Sequence, residues 1–168
     1  MKTAVYAGSF DPITHGHLDI VRRALKIFDN LVVVVAVNSS KKALFPVDVR
    51  ERLVKAALLD DEIVRAETAR VLVRTLADKR LLVDFAKEIG ACAMVRGLRP
   101  VQDFPVEFSL ASVNRRIAPE IETVMLVTDP SVAEVSSSMV KELVALGGPF
   151  EQFVPAVVAE RLKNVPVA

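Results

Sequence analysis

Two histidines flank a glycine near the start of the chain, in the segment Thr14-His15-Gly16-His17. An imidazole N–H can donate to a phosphate oxygen, and a helix start attracts anions. The pair could also cap a helix, or bind a metal ion together with Asp11. Because these are the chain's two histidines, a metal site here would lack further imidazole ligands. We therefore favour phosphate recognition, with His17 as the contact.

A glycine and a serine, Gly8 and Ser9, stand just before these histidines and directly after the apolar run Thr3–Ala7. Glycine lets the backbone approach a phosphate closely, and the serine hydroxyl can donate to it. Taken alone, the pair is better explained as an ordinary turn after a strand. Neither G-x-G-x-x-G nor G-x-x-x-x-G-K-[ST] occurs, which argues against a dinucleotide dehydrogenase and a P-loop NTPase.

Three later segments carry further groups that can hold anions. They are Lys41 with Lys42, Arg96 with Arg99, and Ser136–Ser138. Lysine supplies a compact positive charge, and arginine can form two parallel hydrogen bonds to a phosphate. Serines at a helix start provide hydroxyl donors beside the free backbone N–H groups of the first turn. Solvated loop charges and helix capping by one serine are the alternatives.

Two carboxylates, Asp103 and Glu107, follow the arginines and fall on one face of a predicted helix. Paired carboxylates could perform acid–base chemistry. An exposed helix face explains the spacing more simply, and we keep both residues as candidate contacts to ribose, base or Mg²⁺.

Composition excludes several classes of protein. With 168 residues and 52% apolar residues, the chain can form one domain, residues 1–168. The 22 basic and 21 acidic residues create no basic field, so we expect no nucleic-acid partner. Without a secretion signal or an apolar run of membrane-spanning length, we expect no membrane association and a cytoplasmic location. The single cysteine, Cys92, lies in an apolar run and is predicted to be buried.

Short apolar runs alternate with segments of helical periodicity, which predicts an α/β fold of the Rossmann-like, doubly wound parallel type. The predicted strands are Thr3–Ala7, Leu31–Val37, Ala91–Val95 and Thr123–Val127, with a further strand at either Ile63–Ala66 or Val71–Val73. The predicted helices contain or span Leu18 to Phe28, Val47–Leu59, Leu81–Ile89, Asp103–Ile117, Ser136 to Gly147 and Pro155 to Lys163. Since parallel strands end at one edge of a sheet, the four anion-binding segments should converge there, around a polyphosphate and another phosphate.

These residues also resemble a known family, the bacterial phosphopantetheine adenylyltransferases, which belong to the nucleotidyltransferases with a [TH]-x-G-H motif. The matching segments cover nearly the whole chain and are Tyr6–Pro12, Thr14–His17, Ser40–Lys42, Arg96–Arg99 with Asp103-Phe104, and Ser136–Ser138 with Val140–Glu142. The resemblance implies transfer of AMP from ATP to 4′-phosphopantetheine with Mg²⁺, giving dephospho-CoA and pyrophosphate in the penultimate step of coenzyme A synthesis. It also implies a homohexamer and suggests coenzyme A as a candidate feedback inhibitor.

The resemblance also implies roles for individual residues. Those implied to bind phosphopantetheine are Ser9, Asn38, Lys41, Leu82 and Arg96. Those implied to bind ATP are Gly8, Ser9, Phe10, His17, Gly97, Arg99, Glu107, Ser136, Ser137 and Ser138. His17, Lys41 and Arg96 are the implied catalytic residues, and no side chain is assigned to a metal.

The acceptor's own phosphate would attack the α-phosphate of ATP in line, so neither a general base nor a covalent intermediate is required. Valines at positions 106 and 132 replace residues that are often aromatic in the family, which leaves the adenine contacts open. A nucleotidyltransferase for another acceptor, such as nicotinamide mononucleotide or glycerol 3-phosphate, is the nearest alternative. A non-catalytic nucleotide-binding module is the other alternative, and the intact His17 argues against it.

Overall fold

Five parallel strands form a single sheet in the computed structural model, which describes residues 1–37, 42–76, 80–99 and 103–165. The strands are β1 (Thr3–Gly8), β2 (Asn30–Ala36), β3 (Val71–Leu76), β4 (Ala93–Leu98) and β5 (Glu122–Val127), in the order β3-β2-β1-β4-β5. The predicted α/β class and parallel sheet are confirmed. Because the strand order reverses between β1 and β4, a crevice opens there at the carboxyl edge, where open α/β sheets bind ligands.

Seven helices connect or flank these strands within the described residues. They are α1 (His15–Leu25), α2 (Val47–Asp60), α3 (Glu62–Ala66), α4 (Leu82–Glu88), α5 (Phe104–Ile117), α6 (Ser137–Ala145) and α7 (Ala156–Leu162). Gly90 and Gly147 follow α4 and α6 with φ angles of 66° and 67°, a left-handed conformation that glycine adopts without steric cost and that ends a helix. No helix in these ranges is long and apolar enough to cross a membrane.

The sheet is buried on both faces at its centre, which explains the valine-rich, non-alternating sequence of β2. Leu31 and Val33 belong to a core cluster on one face, and Val32 and Val34 to a cluster on the other. Helices α1, α2, α6 and α7 contribute to the first cluster, and α4 to the second. Apolar residues on both sides of a strand are typical of parallel sheets covered by helices.

The ambiguous region after α2 contains one helix and one strand. Val71–Val73 lies within β3, so this alternative is correct, whereas Ile63–Ala66 lies in α3. Asp61 caps α3 because its carboxylate accepts the N–H groups of Ile63 and Val64 at 3.1 and 3.0 Å. The cap supplies acceptors for the first N–H groups of the helix, which a strand at this position would not require.

Two predictions about the fourth strand are wrong. Cys92 is exposed, because it lies in the bend just before β4, which begins at Ala93. The strand also continues beyond Val95 to Leu98, since its backbone remains paired with β5 as far as Leu98 and Val127. Backbone pairing does not require apolar side chains, so Arg96 and Gly97 lie within the strand instead of after it.

Candidate active site

A cavity of about 320 Å³ opens at the carboxyl ends of β1 and β4, where the strand order reverses. The predicted site residues that line it are Gly8, Ser9, His17, Arg96, Gly97, Arg99, Glu107, Ser136, Ser137 and Ser138. They come from the end of β1, from α1, from the end of β4, from α5 and from the start of α6. Three of the four predicted anion-binding segments therefore share one cleft.

Two of the other predicted site residues, Phe10 and Leu82, do not line this cavity. The side chain of Phe10 is fully buried and packs edge-to-face on the rings of Tyr6 and His17, with centroid distances of 5.5 and 5.0 Å. Leu82 is half-buried at the start of α4 and packs against the core on the other face of the sheet. Asn38 and Lys41 lie outside the described residues.

Two glycines of the cleft lie where a larger side chain would be crowded. A Cβ on Gly8 would lie 3.1 Å from the ring of Phe10, and one on Gly97 would lie 3.0 Å from Cγ1 of Ile20 in α1. The sequence alone suggested that Gly8 makes room for a phosphate. In the structure Gly8 makes room for Phe10, while Gly97 lets α1 approach β4 closely.

His17 is held in a defined tautomer by the start of its own helix. Its Nδ1 accepts the backbone N–H of Thr14 at 3.0 Å, as the glutamate of a capping box does. An accepting Nδ1 carries no proton, so the proton of the neutral ring is on Nε2, which becomes its hydrogen-bond donor. Burial, and secondly the positive charge of Arg99, lower the pKa of His17 to about 4. The ring is therefore a neutral, oriented donor at physiological pH.

Each arginine of the cleft is paired with a carboxylate from α5 or its N-cap. The Nε and Nη2 atoms of Arg96 donate to Glu107 at 2.6 and 2.7 Å, and Nη1 contacts the carbonyl oxygen of Ala7 at 3.3 Å. Arg99 donates from Nε and Nη2 to Asp103 at 2.8 and 3.2 Å. The interpretation of Asp103 and Glu107 as an ordinary exposed helix face is therefore wrong, because the Glu107 side chain is only 14% exposed. These forked ion pairs fix both guanidinium planes.

The serine segment has a structural function besides its place in the cleft. The hydroxyl oxygen of Ser136 accepts the N–H of Met139 at 3.0 Å and caps α6. The hydroxyl of Ser137 donates to the carbonyl oxygen of Pro12 at 2.8 Å, which ties α6 to the loop after β1. This bond places the helix start, with its partial positive charge, at the cleft.

Two buried charged residues next to the cleft were not identified as functional from the sequence. Asp11 is 3% exposed and Arg50 is 4% exposed, and both hydrogen-bond to backbone groups. Asp11 was considered only as a metal ligand. Arg50 lies on the buried face of α2 together with Leu53 and Val54. A charged residue at an apolar position of an amphipathic helix is unusual, and this pattern in the sequence could have identified Arg50 as a residue with a special role.

His15, which the sequence left without a role, faces away from the cleft. It lines a separate surface cavity together with Arg22 and Asp61. Burial and the charge of Arg22 lower its pKa. The two histidines of the motif therefore lie in different environments, and only His17 lies in the cleft.

Comparison with known proteins agrees with this geometry. The model of the family described as cytidylyltransferase-like matches residues 5–143. A Plasmodium falciparum nicotinic acid mononucleotide adenylyltransferase complexed with NaAD superposes with a TM-score of 0.72 at 12% identity, over 100% of both chains. A bifunctional NMN adenylyltransferase/ADP ribose pyrophosphatase from Francisella tularensis superposes with a TM-score of 0.71 at 15% identity, over 96% of this chain and 48% of that one. The fold is that of a nucleotidyltransferase.

Sequence relatives identify the family more closely. The chain is 49% identical to the phosphopantetheine adenylyltransferase of Geotalea daltonii, over 96% of this chain and 95% of the relative. It is 42% identical to that of Caldanaerobacter subterraneus subsp. tengcongensis over 96% of both chains, and 45% identical to that of Methylacidiphilum infernorum over 98% and 91%. The chain belongs to the phosphopantetheine adenylyltransferase family.

Proposed function

We propose that this chain transfers the adenylyl group of ATP to 4′-phosphopantetheine, forming dephospho-CoA and releasing pyrophosphate. Family membership over nearly the whole chain supports these substrates. The observation that carries the mechanism is a neutral His17 with its donor on Nε2, in the same cleft as Arg96 and Arg99. Such a site contains hydrogen-bond donors and positive charge in fixed positions, which is what phosphoryl-type transfer requires.

In this mechanism an oxygen of the acceptor phosphate forms a bond to the α-phosphorus of ATP. The bond from that phosphorus to the bridging oxygen breaks, and pyrophosphate leaves with the bonding electrons. His17 donates to an oxygen of the α-phosphate as negative charge builds there. Arg99 and the serines at the start of α6 bind the β- and γ-phosphates, whereas Ser9 and Arg96 bind the acceptor phosphate. The acceptor is already anionic, so no side chain has to remove a proton.

The proposed acceptor site also includes Asn38, Lys41 and Leu82. The proposed nucleotide site also includes Gly8, Phe10, Gly97 and Glu107. Among the described residues no group of three or more His, Cys, Asp or Glu side chains could hold a metal ion, and both carboxylates of the cleft bind arginines. We propose that Mg²⁺ enters bound to the triphosphate of ATP, since this ion commonly binds substrate phosphates.

An acceptor panel tests the function. With ATP and Mg²⁺, we expect pyrophosphate release with 4′-phosphopantetheine and none with pantetheine, nicotinamide mononucleotide or glycerol 3-phosphate. Pantetheine is the matched control, because it lacks only the attacking phosphate. Turnover with nicotinamide mononucleotide or glycerol 3-phosphate instead would establish a different acceptor, and no turnover with any would favour a non-catalytic module. Coenzyme A contains both substrate moieties, and added to this assay we expect it to inhibit.

We also propose that the chain assembles with copies of itself, as a homohexamer, through α5. No residue of this helix is buried in the single chain. Its exposed apolar side chains are 46% to 62% exposed and comprise Phe104, Val106, Phe108, Leu110, Val113 and Ile117. By helical spacing these side chains form two exposed apolar stripes, one with Phe104 and Phe108 and the other with Val106, Leu110, Val113 and Ile117. Exposed apolar surface of this kind is typical of association surfaces. Further copies of the chain are the occupants we propose, because a closed hexamer requires more than one kind of contact between copies and α5 offers two apolar stripes.

Replacing Phe108 with glutamate should therefore reduce the assembly to smaller species, because a charge would be buried at the contact. Light scattering coupled to size-exclusion chromatography would measure the mass. Leu146→Glu is the matched control, since Leu146 is 76% exposed outside α5. A wild-type mass of one chain would refute the assembly, and an unchanged mass for the Phe108 variant would exclude this face.

A further inference from the structure

Arg50 is the least expected residue near the cleft, because it is 4% exposed and binds backbone instead of a carboxylate. Its Nη1 donates to the carbonyl oxygens of Ser9 at 2.7 Å and Ala36 at 3.0 Å, and its Nε donates to that of Phe45 at 3.1 Å. Buried arginines normally require partners for their donors. Here one planar group connects three separate segments of the chain.

Two of the three carbonyls, those of Ser9 and Ala36, lie at the carboxyl ends of β1 and β2, and the third belongs to Phe45, just before α2. The last registered residues of β1 and β2 are Gly8 and Val35, and Ser9 and Ala36 follow them directly. Beyond that pair the two strands share no further registered residues, and their carbonyl oxygens need other donors. Arg50 supplies these donors to both strands and so sets the spacing between them at the edge of the cleft.

Asp11 closes the same network from the opposite side. Its Oδ1 accepts the N–H of Phe45 at 2.9 Å, and its Oδ2 accepts that of Leu44 at 2.7 Å. The main chain of Phe45 is therefore held at its N–H by Asp11 and at its carbonyl oxygen by Arg50. This ring of hydrogen bonds joins residues 9–11 to residues 44–50, and Ser9 is the member of the ring that lines the cleft.

We propose that Arg50 is a positioning residue for the acceptor phosphate and acts by holding the backbone of Ser9. The proposal rests on the proposed function, in which Ser9 binds that phosphate. His17, Arg99 and the serines of α6 make no direct bond to Arg50. The ring reaches the nucleotide side only through Phe10, which packs on His17, and through Asp11, whose Oδ2 accepts a hydrogen bond from Lys141 of α6 at 3.3 Å. A lysine at position 50 would keep the positive charge. It would lack the planar guanidinium, whose Nε and Nη1 atoms bind their carbonyl partners at the same time.

The kinetic test compares Arg50→Lys with Arg52→Lys, a control on the same helix whose side chain is 69% exposed. For Arg50→Lys we expect the KM for 4′-phosphopantetheine to rise about tenfold, the order of effect of losing an oriented hydrogen bond. The Kd for ATP should change by less than about threefold, because Arg50 makes no direct bond to the groups proposed to bind ATP. An unchanged acceptor KM, or an equal loss of ATP affinity, would overturn the proposal.

Amide hydrogen exchange on the ligand-free protein provides a readout that does not depend on activity. Residues 9–11 and 44–45 should exchange about tenfold faster in Arg50→Lys than in the wild type or Arg52→Lys. Equal exchange overturns the positioning role even if the wild type is inactive, whereas wild-type inactivity alone refutes only the proposed function. If Arg50→Lys does not fold, Asp11→Asn weakens the same ring and must give the same faster exchange of residues 9–11 and 44–45, although it also removes the ion pair of Asp11 with Lys141 of α6.

Discussion

His17→Ala is expected to lower kcat by about 100- to 1,000-fold, the usual cost of removing one donor to a developing anion. The Kd for ATP should change by less than about threefold, because the lost hydrogen bond is strongest in the transition state. Single-turnover kinetics and equilibrium nucleotide binding measure the two quantities separately. The expectation follows from the Nδ1 bond to Thr14, which leaves Nε2 as the donor.

Two further variants separate chemistry from folding. His17→Asn retains an acceptor for the N–H of Thr14 but does not place a donor at the Nε2 position, so it should be as slow as alanine while remaining closer to wild-type stability. His15→Asn makes the same change on the residue that faces the other cavity and should retain activity within about twofold. Wild-type turnover in the His17 variants would refute the mechanism.

The same histidine predicts the response to pH. Its pKa in the folded chain is about 4, against 6.5 for an unperturbed histidine. Between these values the unfolded chain binds a proton that the folded chain does not. The contribution of His17 to the free energy of unfolding is therefore complete above pH 6.5 and declines as the pH falls towards 4. The free energy of unfolding of His17→Asn should lack this pH dependence. In a plot of kcat/KM against pH, the wild type should show no decrease near pH 6.5 that is caused by protonation of His17.

Arg96→Ala should lower activity about as much as His17→Ala, but for a different physical reason. The variant removes a phosphate contact and also leaves the carboxylate of Glu107, 14% exposed, unpaired inside an anion site. Removing one partner of a buried ion pair costs more than the pair contributes. We expect kcat/KM to fall by about 1,000-fold, roughly 4 kcal/mol of transition-state stabilisation.

The double variant Arg96→Ala/Glu107→Gln tests that explanation. Neutralising the stranded carboxylate should restore about tenfold of the lost kcat/KM, because the repulsion of the acceptor phosphate is removed. Arg52→Ala is the control, since its ion pair with Asp48 is exposed on both sides and contributes little. A double variant no faster than Arg96→Ala would show that the loss comes from the missing guanidinium alone.

Much of the fold could be predicted because its signals are local. The apolar run of β2, the glycine after α4 and the serine cap of α6 each depend on a few neighbouring residues. The errors arose where local signals conflict with pairing. Arg96 and Gly97 lack apolar character but lie in β4 through backbone bonds to β5, and Cys92 is exposed because β4 begins only after it, at Ala93.

The sequence by itself determined the class of fold, the edge at which the anion-binding segments meet and the motif that includes His17. These follow from periodicity, turn residues and motif spacing, which are properties of neighbouring residues. Only the tertiary structure decided which groups act together: Arg96 binds Glu107 and His17 carries its proton on Nε2. Likewise, Arg50 joins the ends of two strands. The physical reason is that burial and pairing involve residues far apart in the chain, and their distances exist only after folding.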